Sequence, residues 1–396
     1  MNPPNPVVYL LGSQAVSAVP LAPYHPLACD LLNDLSSELR ASKEATAYPD
    51  VMAFAFWCRK ANITQLQSQF EDGRTRLGLG LALHITPSNV PINFAFSFAF
   101  GLLAGNANIV RVPTKPFRQI DIICTTLGRL FESPKYAELK AMTAFVRYER
   151  SERITAALSE NCGARVIWGG DASIKDIRKS PAPVRCVEIA FSDRYSFCLL
   201  DAGAILSLDP DSLKRLAEGF YNDAYLMDQN ACSSPHLIIW KGGSADAAQE
   251  KFWTAVAEVA AQKYDLSAVH AVDKYTLFCH DAIKGNNVKY TRRHGNYVYR
   301  VGLNKLTKDM DALRGTCGYF YECDVANENV LAPIVNGKYQ TLTYFGIDKT
   351  ALRDFVIRRR LSGIDRIVPV GKALDIGVIW DGYDVVKTLS RIIDVV

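Results

Sequence analysis

The segment LALHITPSNVPINFAFSFAFGLLAGNANIVRVP, residues 81–113, carries the pattern that decides the fold. An aliphatic run at 80–85 leads into a loop bracketed by Pro87 and Pro91, and a helical pattern follows at 92–104. Gly105 and Asn106 end that helix, and a second aliphatic run occupies 107–112. A strand, a helix and a second strand in this order form a crossover between parallel strands. The segment therefore predicts an α/β fold built on parallel sheet.

The same alternation of short apolar runs and longer helical patterns continues through the rest of the chain. A chain of 396 residues is long enough for two domains. We place the border near residue 205, because motifs typical of phosphate binding lie before it and a reactive-looking cysteine lies after it. Further strands are predicted at 165–168, 184–191, 196–200, 236–240, 297–301, 340–345 and 365–369, and further helices at 118–131, 172–180, 212–227, 245–264 and 349–361.

Composition narrows the function classes. A net charge of +4 argues against nucleic-acid binding but suits an anionic ligand. The N-terminus has no basic segment of a secretory signal, and no run reaches the roughly 18 apolar residues that a membrane span needs, so we expect a cytoplasmic protein without an integral membrane segment. The ten cysteines are scattered, which predicts reduced thiols, and the spacing of cysteines and histidines does not favour a metal site.

The loop at 86–91 can present a rigid polar side chain. Asn89, between two prolines and before a helix, is a candidate oxyanion donor. The alternative is that Asn89 only caps the helix. The aromatic run that follows, Phe94, Phe96, Phe98 and Phe100, is interpreted as core packing rather than as an acyl-chain pocket.

Two later motifs favour a phosphate-bearing ligand. Arg111 lies where the second strand ends, which is the edge where ligands bind in open α/β sheets, although an arginine there is also often solvated or paired. Gly169, Gly170 and Asp171 follow a strand and begin a helix, so backbone N–H groups can face an anion. The glycine pattern is not a full dinucleotide fingerprint, and it leaves the ligand open.

Cys232 stands out among the cysteines by its surroundings. It lies in the polar, small-residue loop Asp228-Gln229-Asn230-Ala231-Cys232-Ser233-Ser234-Pro235, between a predicted helix and a predicted strand. A thiol in such a junction can be exposed, and a thiolate is a strong nucleophile. An inert cysteine is the alternative, and a Cys-His-Asn protease arrangement has no support in the spacing.

Read together and in order, these motifs resemble the LuxC-type fatty-acyl-CoA reductases of the aldehyde-dehydrogenase superfamily. The likeness covers nearly the whole chain. Its specific parts are the cysteine loop and the block Gly363-Ile364-Asp365-Arg366-Ile367-Val368-Pro369-Val370-Gly371 with Trp380-Asp381-Gly382; it also includes Pro49-Asp50-Val51, Cys58-Arg59-Lys60-Ala61-Asn62 and Trp168-Gly169-Gly170-Asp171.

The resemblance implies an α/β fold with two Rossmann-like parallel-sheet domains and an active site between them. It implies an NADP(H)-binding domain with an N-terminal helical region at 1–205, a catalytic cysteine domain at 206–365, and a C-terminal segment at 366–396 that returns to the domain or oligomer interface. Cys232 matches the nucleophile and Asn89 the oxyanion donor. Arg111, Gly169, Gly170, Asp171, Pro87 and Ser88 are the expected contacts of the cofactor, NADPH.

The implied activity is NADPH-dependent reduction of an acyl-CoA, or an acyl group held by a protein, to a fatty aldehyde through a thioester on Cys232. An acyl-protein synthetase partner and a homo-oligomer are also implied. Reduction of an acyl phosphate and a non-catalytic nucleotide-binding subunit are the alternatives.

One departure bears on the reaction. Aldehyde-oxidising relatives carry a glutamate that activates water, whereas Ala190-Phe191-Ser192-Asp193 occupies that place here, with Glu188 two residues earlier. The loss of that base favours reduction, unless the correspondence shifts by two residues and restores Glu188. The superfamily's later glutamate matches Glu328 or Asn329 only weakly.

Overall fold

The computed structural model describes residues 7–87, 90–242 and 245–395. The chain divides into two compact units. The first contains the chain up to Ser192 and from Val378 onward, and the second is Asp193–Gly377.

The first unit is built on a six-stranded sheet of order β1-β5-β4-β3-β6-β7, in which only the edge strand β1 is antiparallel to its neighbour. Branched and aliphatic residues fill these strands, so the sheet is buried on both faces, as parallel sheets are. The strands of this sheet are β1 (Val8–Leu11), β3 (Leu81–Ile85), β4 (Ala107–Arg111), β5 (Thr143–Arg147), β6 (Ala164–Trp168) and β7 (Val187–Phe191), and a further short strand, β2 (Arg76–Gly78), lies outside it. The helices are α1 (Pro26–Ala41), α2 (Pro49–Trp57), α3 (Lys60–Phe70), α4 (Asn93–Leu103), α5 (Arg118–Leu130), α6 (Ala137–Ala141), α7 (Glu152–Ser159) and α8 (Asp171–Ile177).

The predicted crossover at 81–113 is confirmed. Strands β3 and β4 run parallel with Leu81 opposite Ala107 and Ile85 opposite Arg111, and α4 connects them. The four phenylalanines of α4 are all buried, which confirms their role in the core. Gly101 in α4 is required because a Cβ there would lie 2.0 Å from the Asn108 side-chain oxygen.

The second unit contains a seven-stranded sheet of order β10-β11-β12-β9-β8-β13-β14, parallel except for the β10–β11 pair. Apolar clusters cover both of its faces. The strands are β8 (Tyr195–Asp201), β9 (Pro235–Lys241), β10 (Val288–His294), β11 (Val298–Leu303), β12 (Tyr319–Val325), β13 (Tyr339–Phe345) and β14 (Arg366–Pro369). The helices are α9 (Ala202–Leu206), α10 (Pro210–Tyr225), α11 (Asp246–Lys263), α12 (Ala268–Lys284) and α13 (Lys349–Arg359).

The C-terminal elements fold with the first unit. They are β15 (Ile379–Trp380), β16 (Tyr383–Asp384), α14 (Val385–Thr388) and β17 (Ser390–Ile392). Strand β17 pairs with β2, and the Asn106 side-chain amide donates to the Leu389 carbonyl at 2.9 Å.

The borders of these two units differ from the predicted domain borders at 205 and 365. Strand β8, predicted in the first domain, pairs with β9 and β13, so the division falls after Ser192. Strand β14 pairs with β13, so the return to the first unit begins at Val378.

The predicted strands and helices all occur, with bounds shifted by a few residues. Strands β1, β2, β5, β10 and β12, helices α6, α7, α9 and α12, and the elements after β14 were not predicted from the sequence, and the N-terminal helices were predicted only as a region. None of the helices in the described part of the chain combines the length and apolar character that crossing a bilayer requires.

Candidate active site

A cleft in the first unit opens where its parallel strands end. Its volume is about 510 Å³, and its wall comes from the carboxyl ends of β3 to β6. The order of this sheet reverses beside β3, and such a reversal is where open α/β sheets bind ligands. The wall includes four of the residues predicted to contact a cofactor, namely Pro87, Arg111, Gly169 and Gly170.

Arg111 is held against the wall of this cleft. Its Nε and Nη2 atoms donate to the Tyr148 carbonyl at 3.4 and 3.2 Å, and its guanidinium carbon lies 4.7 Å from the centre of the Tyr148 ring. Thr86 fixes the backbone below by donating its hydroxyl to the Arg111 carbonyl at 2.7 Å. These contacts orient the arginine as part of the cleft, while its charge remains available to an anion.

Packing within the protein does not require glycine at positions 169 and 170. A Cβ at Gly169 would meet only the Ser173 Cβ, at 3.5 Å, and a Cβ at Gly170 would have no neighbour within 4 Å among the described atoms. Gly170 has an ordinary negative φ of −68°. Open space beside two glycines at a strand end leaves the backbone free for close approach by a ligand, which fits a dinucleotide phosphate.

A buried hydrogen-bond chain supports the floor of the cleft. Trp168 Nε1 donates to Ser97 Oγ at 3.0 Å, and Ser97 Oγ lies 2.8 Å from His84 Nδ1. His84 Nε2 lies 3.0 Å from Asn108 Oδ1, and the amide of Asn108 donates to the Asn106 carbonyl. These directions assign the proton of His84 to Nε2, and burial lowers the pKa of His84 to about 4, so this histidine is a neutral structural link.

Glu188 is paired rather than poised as a base. It lies near the amino end of β7, where its carboxylate accepts from Arg165 Nε and Nη2 at 2.9 and 2.6 Å and from Arg178 Nε at 2.6 Å. Burial alone would raise the pKa of Glu188, but the two arginines outweigh it and hold that pKa below its usual range. A carboxylate stabilised in this way is a weak base.

The cysteine loop of the second unit is fixed by one buried side chain, that of Gln229. Its Nε2 donates to the carbonyls of Pro235 and Tyr319 at 3.0 and 2.9 Å. Its Oε1 accepts from the N–H groups of Gly318 and Tyr319 at 3.1 and 3.2 Å. Gln229 has a φ of 63°, in the left-handed region, which turns its side chain inward between the starts of β9 and β12.

Cys232 lies at the amino edge of the second sheet, just before β9, and is half-buried. Its sulfur accepts a hydrogen bond from Gln340 Nε2 at 3.3 Å. Its carbonyl accepts from Ser196 Oγ at 2.7 Å, and Ser196 Oγ in turn accepts from the Thr341 N–H at 3.1 Å. Cys232 is therefore a partly exposed residue whose backbone position is defined by hydrogen bonds.

The residues that follow Cys232 anchor the loop from below. Ser234 is buried and donates its hydroxyl to the Asp223 carbonyl at 2.7 Å. The Asp223 carboxylate accepts from the N–H groups of Gly371 and Ala373 at 2.7 and 2.8 Å, which attaches the C-terminal block of the family resemblance to α10. Burial, which outweighs these two donors, raises the pKa of Asp223 to about 7.

His236 is the histidine nearest to Cys232 in sequence, and it is not arranged as a base for the thiol. It is buried, its Nδ1 contacts the Gly315 carbonyl at 3.0 Å, and its ring stacks on Tyr195. Burial and the nearby Arg314 lower the pKa of His236 to about 4. The Cys-His-Asn alternative has no support from this contact.

The remaining predicted positions fall elsewhere. Asn89 and Ser88 lie outside the described residues. Asp171 is exposed at the start of α8, outside the described lining of the cleft. Glu328 pairs with Lys241 at 3.1 Å, and Asn329 accepts from Arg359 at 2.7 Å. The roles of Gln229, Ser196 and Gln340 were not predicted from the sequence. For Ser196 and Gln340 the available signal was a polar residue in an apolar strand, whereas Gln229 lies in the cysteine loop itself.

All ten cysteines are free thiols in the structure. Within the described ranges, no three side chains of His, Cys, Asp or Glu form a group that could hold a metal ion.

The fold is that of the aldehyde dehydrogenases. The chain is similar to an oxidoreductase from Marinobacter aquaeolei, with a TM-score of 0.64 and 12% identity over 96% of this chain and 88% of that one. It is also similar to 1-pyrroline-5-carboxylate dehydrogenase from Thermus thermophilus, with a TM-score of 0.62 and 14% identity over 92% of this chain and 80% of that one. An NAD-dependent aldehyde dehydrogenase from Sinorhizobium meliloti gives a TM-score of 0.61 and 15% identity over 86% and 74% of the two chains.

The chain belongs to the acyl-CoA reductase (LuxC) family, whose model matches residues 61–392. It is similar to long-chain acyl-protein thioester reductase 2 of Photobacterium leiognathi, with 24% identity over 168 residues, which are 42% of this chain. The matched segment spans 33% of that relative's length.

Proposed function

We propose that this protein reduces an acyl thioester, either acyl-CoA or an acyl group held by a protein, to a fatty aldehyde with NADPH. The observation that carries the proposal is the half-buried Cys232 thiol, hydrogen-bonded through its sulfur and clamped through its carbonyl. Family membership and the name of the Photobacterium leiognathi relative support the acyl thioester as substrate class.

In this proposal the Cys232 sulfur attacks the carbonyl carbon of the thioester. A carbon–sulfur bond forms to Cys232, and the donor's carbon–sulfur bond breaks with release of the donor thiol. Covalent capture divides a difficult reduction into two steps and holds the acyl group in place. Asn89 is the proposed side-chain donor to the developing oxyanion, together with a backbone N–H near Cys232.

The cleft of the first unit is the proposed cofactor site. Arg111 supplies the positive charge, and the open backbone at Gly169 and Gly170 allows phosphate to approach, with Pro87, Ser88 and Asp171 as further proposed contacts. NADPH, when bound, supplies the hydride.

Reduction rather than hydrolysis is favoured because Glu188 is not placed as a base: it lies near the amino end of β7, whereas the cleft lies at the carboxyl ends of the strands. A basic carboxylate near the thioester would let water compete with hydride. Glu188 is held by Arg165 and Arg178 instead, which supports aldehyde as the product.

Intact mass spectrometry after mixing the protein with acyl-CoA of several chain lengths tests the covalent step. We expect one acyl adduct that maps to Cys232 and disappears when NADPH is added. Cys232→Ser should abolish both the adduct and NADPH oxidation, because a serine hydroxyl without a base is a poor nucleophile. Cys279→Ser, at another half-buried cysteine of the second unit, is the matched control and should behave as wild type.

Wild-type rates in Cys232→Ser would reject the covalent route. Parallel assays with acyl phosphate and with NADH test the substrate and cofactor assignments, and binding of NADPH without any adduct would identify a non-catalytic subunit. Light scattering of the purified protein tests the proposed homo-oligomer, and co-purification with an acyl-protein synthetase tests the proposed partner.

A further inference from the structure

Gln340 is a polar side chain in a place where a strand would ordinarily be apolar. It is the second residue of β13 and is fully buried. Its Nε2 lies 3.3 Å from the Cys232 sulfur, and its Oε1 accepts from the Thr341 hydroxyl at 3.3 Å. A buried amide costs free energy unless it is hydrogen-bonded, so its placement against the sulfur needs a reason.

The strand ladder is irregular where the contacts of Cys232 originate. The pairing of β13 with β8 shifts register between Tyr339 and Leu342, the interval that contains Gln340. The pairing of β8 with β9 shifts between Ser196 and Phe197. Such irregularities redirect side chains and are common beside active sites. Here the two redirected side chains, those of Gln340 and Ser196, both contact Cys232.

The two contacts hold different parts of Cys232. Ser196 binds the carbonyl and is itself bound by the Thr341 N–H, so the backbone of the cysteine is tied to β8 and β13. Gln340 binds the sulfur, which is the reacting atom. The direction of this second bond is fixed, because an amide nitrogen can only donate and the sulfur must accept.

We propose that Gln340 is a catalytic residue that stabilises the thiolate of Cys232 through its amide N–H. This inference rests on the proposed function of Cys232 as the nucleophile. A donor to the charged form favours that form, and the thiolate is a far better acceptor than the thiol. Deprotonation releases the thiol proton to solvent, and the amide then faces a full negative charge.

The same contact assists the end of the reaction. Hydride addition to the thioester gives an anionic hemithioacetal. When it collapses, its oxyanion becomes the aldehyde carbonyl and the carbon–sulfur electron pair returns to Cys232. Gln340 stabilises that leaving thiolate as it stabilised the attacking one. One amide therefore serves both the formation of the thioester and the cleavage of the carbon–sulfur bond of the hemithioacetal.

The test is the pH dependence of alkylation of Cys232 by iodoacetamide, followed on the Cys232 peptide by mass spectrometry. In the wild type we expect an inflection below the ordinary cysteine value of about 8.5. Gln340→Met, which keeps the size but removes the donor, should raise the inflection by about one pH unit, which lowers the alkylation rate near pH 7 about tenfold. The rates of the two proteins should converge at high pH.

Two further variants sharpen the result. Gln340→Glu matches the native size and places a negative charge by the sulfur, so it should raise the inflection further than Gln340→Met. Gln262→Met, on the exposed face of α11, is the matched control and should leave the profile unchanged. Circular dichroism checks the folding of each variant.

A wild-type inflection at or above about 8.5 overturns the inference and needs no variant. An unchanged inflection in a folded Gln340→Met or Gln340→Glu also overturns it. Alkylation needs neither acyl donor nor cofactor, so its outcome is independent of the proposed function. A shifted inflection without NADPH-dependent turnover would remove the proposed function alone, whereas normal turnover with an unshifted inflection would remove only the role of Gln340.

Discussion

Replacing Gln229 with leucine should destabilise the second unit strongly, because four buried backbone groups depend on this one amide. The structure gives the carbonyls of Pro235 and Tyr319 and the N–H groups of Gly318 and Tyr319 as its partners. At about 1 kcal/mol net for each bond, the loss is about 4 kcal/mol, and apolar burial of leucine recovers about 1 kcal/mol of this. We therefore expect Gln229→Leu to lower the free energy of unfolding by about 3 kcal/mol.

Urea unfolding gives the global effect, and hydrogen–deuterium exchange locates it. Peptides that cover the cysteine loop and the start of β12 should exchange faster, while those of β3 and β4 in the first unit should not change. Gln262→Leu makes the same chemical change at an exposed position of α11 and should alter stability by no more than about 0.5 kcal/mol. A loss below about 1 kcal/mol in Gln229→Leu, with unchanged exchange in the loop, would refute the role given to this amide.

Three further predictions concern titratable groups whose pKa is shifted in the folded protein. Burial raises the pKa of Asp223 to about 7, so its native carboxyl keeps a proton between about pH 4 and 7 that the unfolded chain loses. The free energy of unfolding should therefore fall across that window by at most about 4 kcal/mol. Asp223→Asn should lack this slope in urea titrations at successive pH values. The pKa of Glu188 is lowered, so its contribution to the stability of the folded protein is present above the unfolded value of about 4.3 and lost on acidification. Glu188→Gln should therefore be less stable than wild type at pH 7 and approach it near pH 3. The ratio of aldehyde to acid, measured by gas chromatography, should be the same in both proteins. Burial lowers the pKa of Lys274 to about 8, so the native state releases a proton before the unfolded chain does, and thermal stability should rise from about pH 8 to 10.4 in the wild type but not in Lys274→Met.

The part of the fold that was predictable is the part with regular local patterns. The crossover from β3 through α4 to β4 could be predicted because the apolar runs, the paired prolines and the Gly-Asn helix stop all indicate the same order of elements. Strand β12 was missed because Glu322 interrupts its apolar run, and that glutamate is accommodated by side chains from other elements, among them Arg300 of the neighbouring strand. The local sequence around Glu322 does not indicate that a residue of another strand will neutralise it.

The candidate site divides in the same way. Cys232 could be singled out as a candidate from its polar loop, and Gly169 and Gly170 from the strand that precedes them. The contact of Gln340 with Cys232 could not be predicted, because the two residues lie 108 positions apart in the sequence. The orientation of Gln340 also depends on a register shift in the pairing of β13 with β8. The compact units divide at residues other than the predicted borders for a related reason, since the pairing of β8 decides which unit it joins and the chemistry of nearby motifs does not.

The buried ion pair of the second unit explains how so distant a set of contacts can be specified. Arg300 Nε lies 2.8 Å from Glu322 Oε1 with both side chains fully buried, and Glu322 Oε2 accepts from the indole N–H groups of Trp240 and Trp253. A slip of β12 by one residue would turn Glu322 to the other face, away from Arg300 and the two indole donors, and leaving a carboxylate without its buried partners costs far more than the pair contributes. The pair therefore selects the register of β12, and that register sets the position of Tyr319, the residue that Gln229 holds. The location of the Cys232 loop thus depends on charges that never contact it.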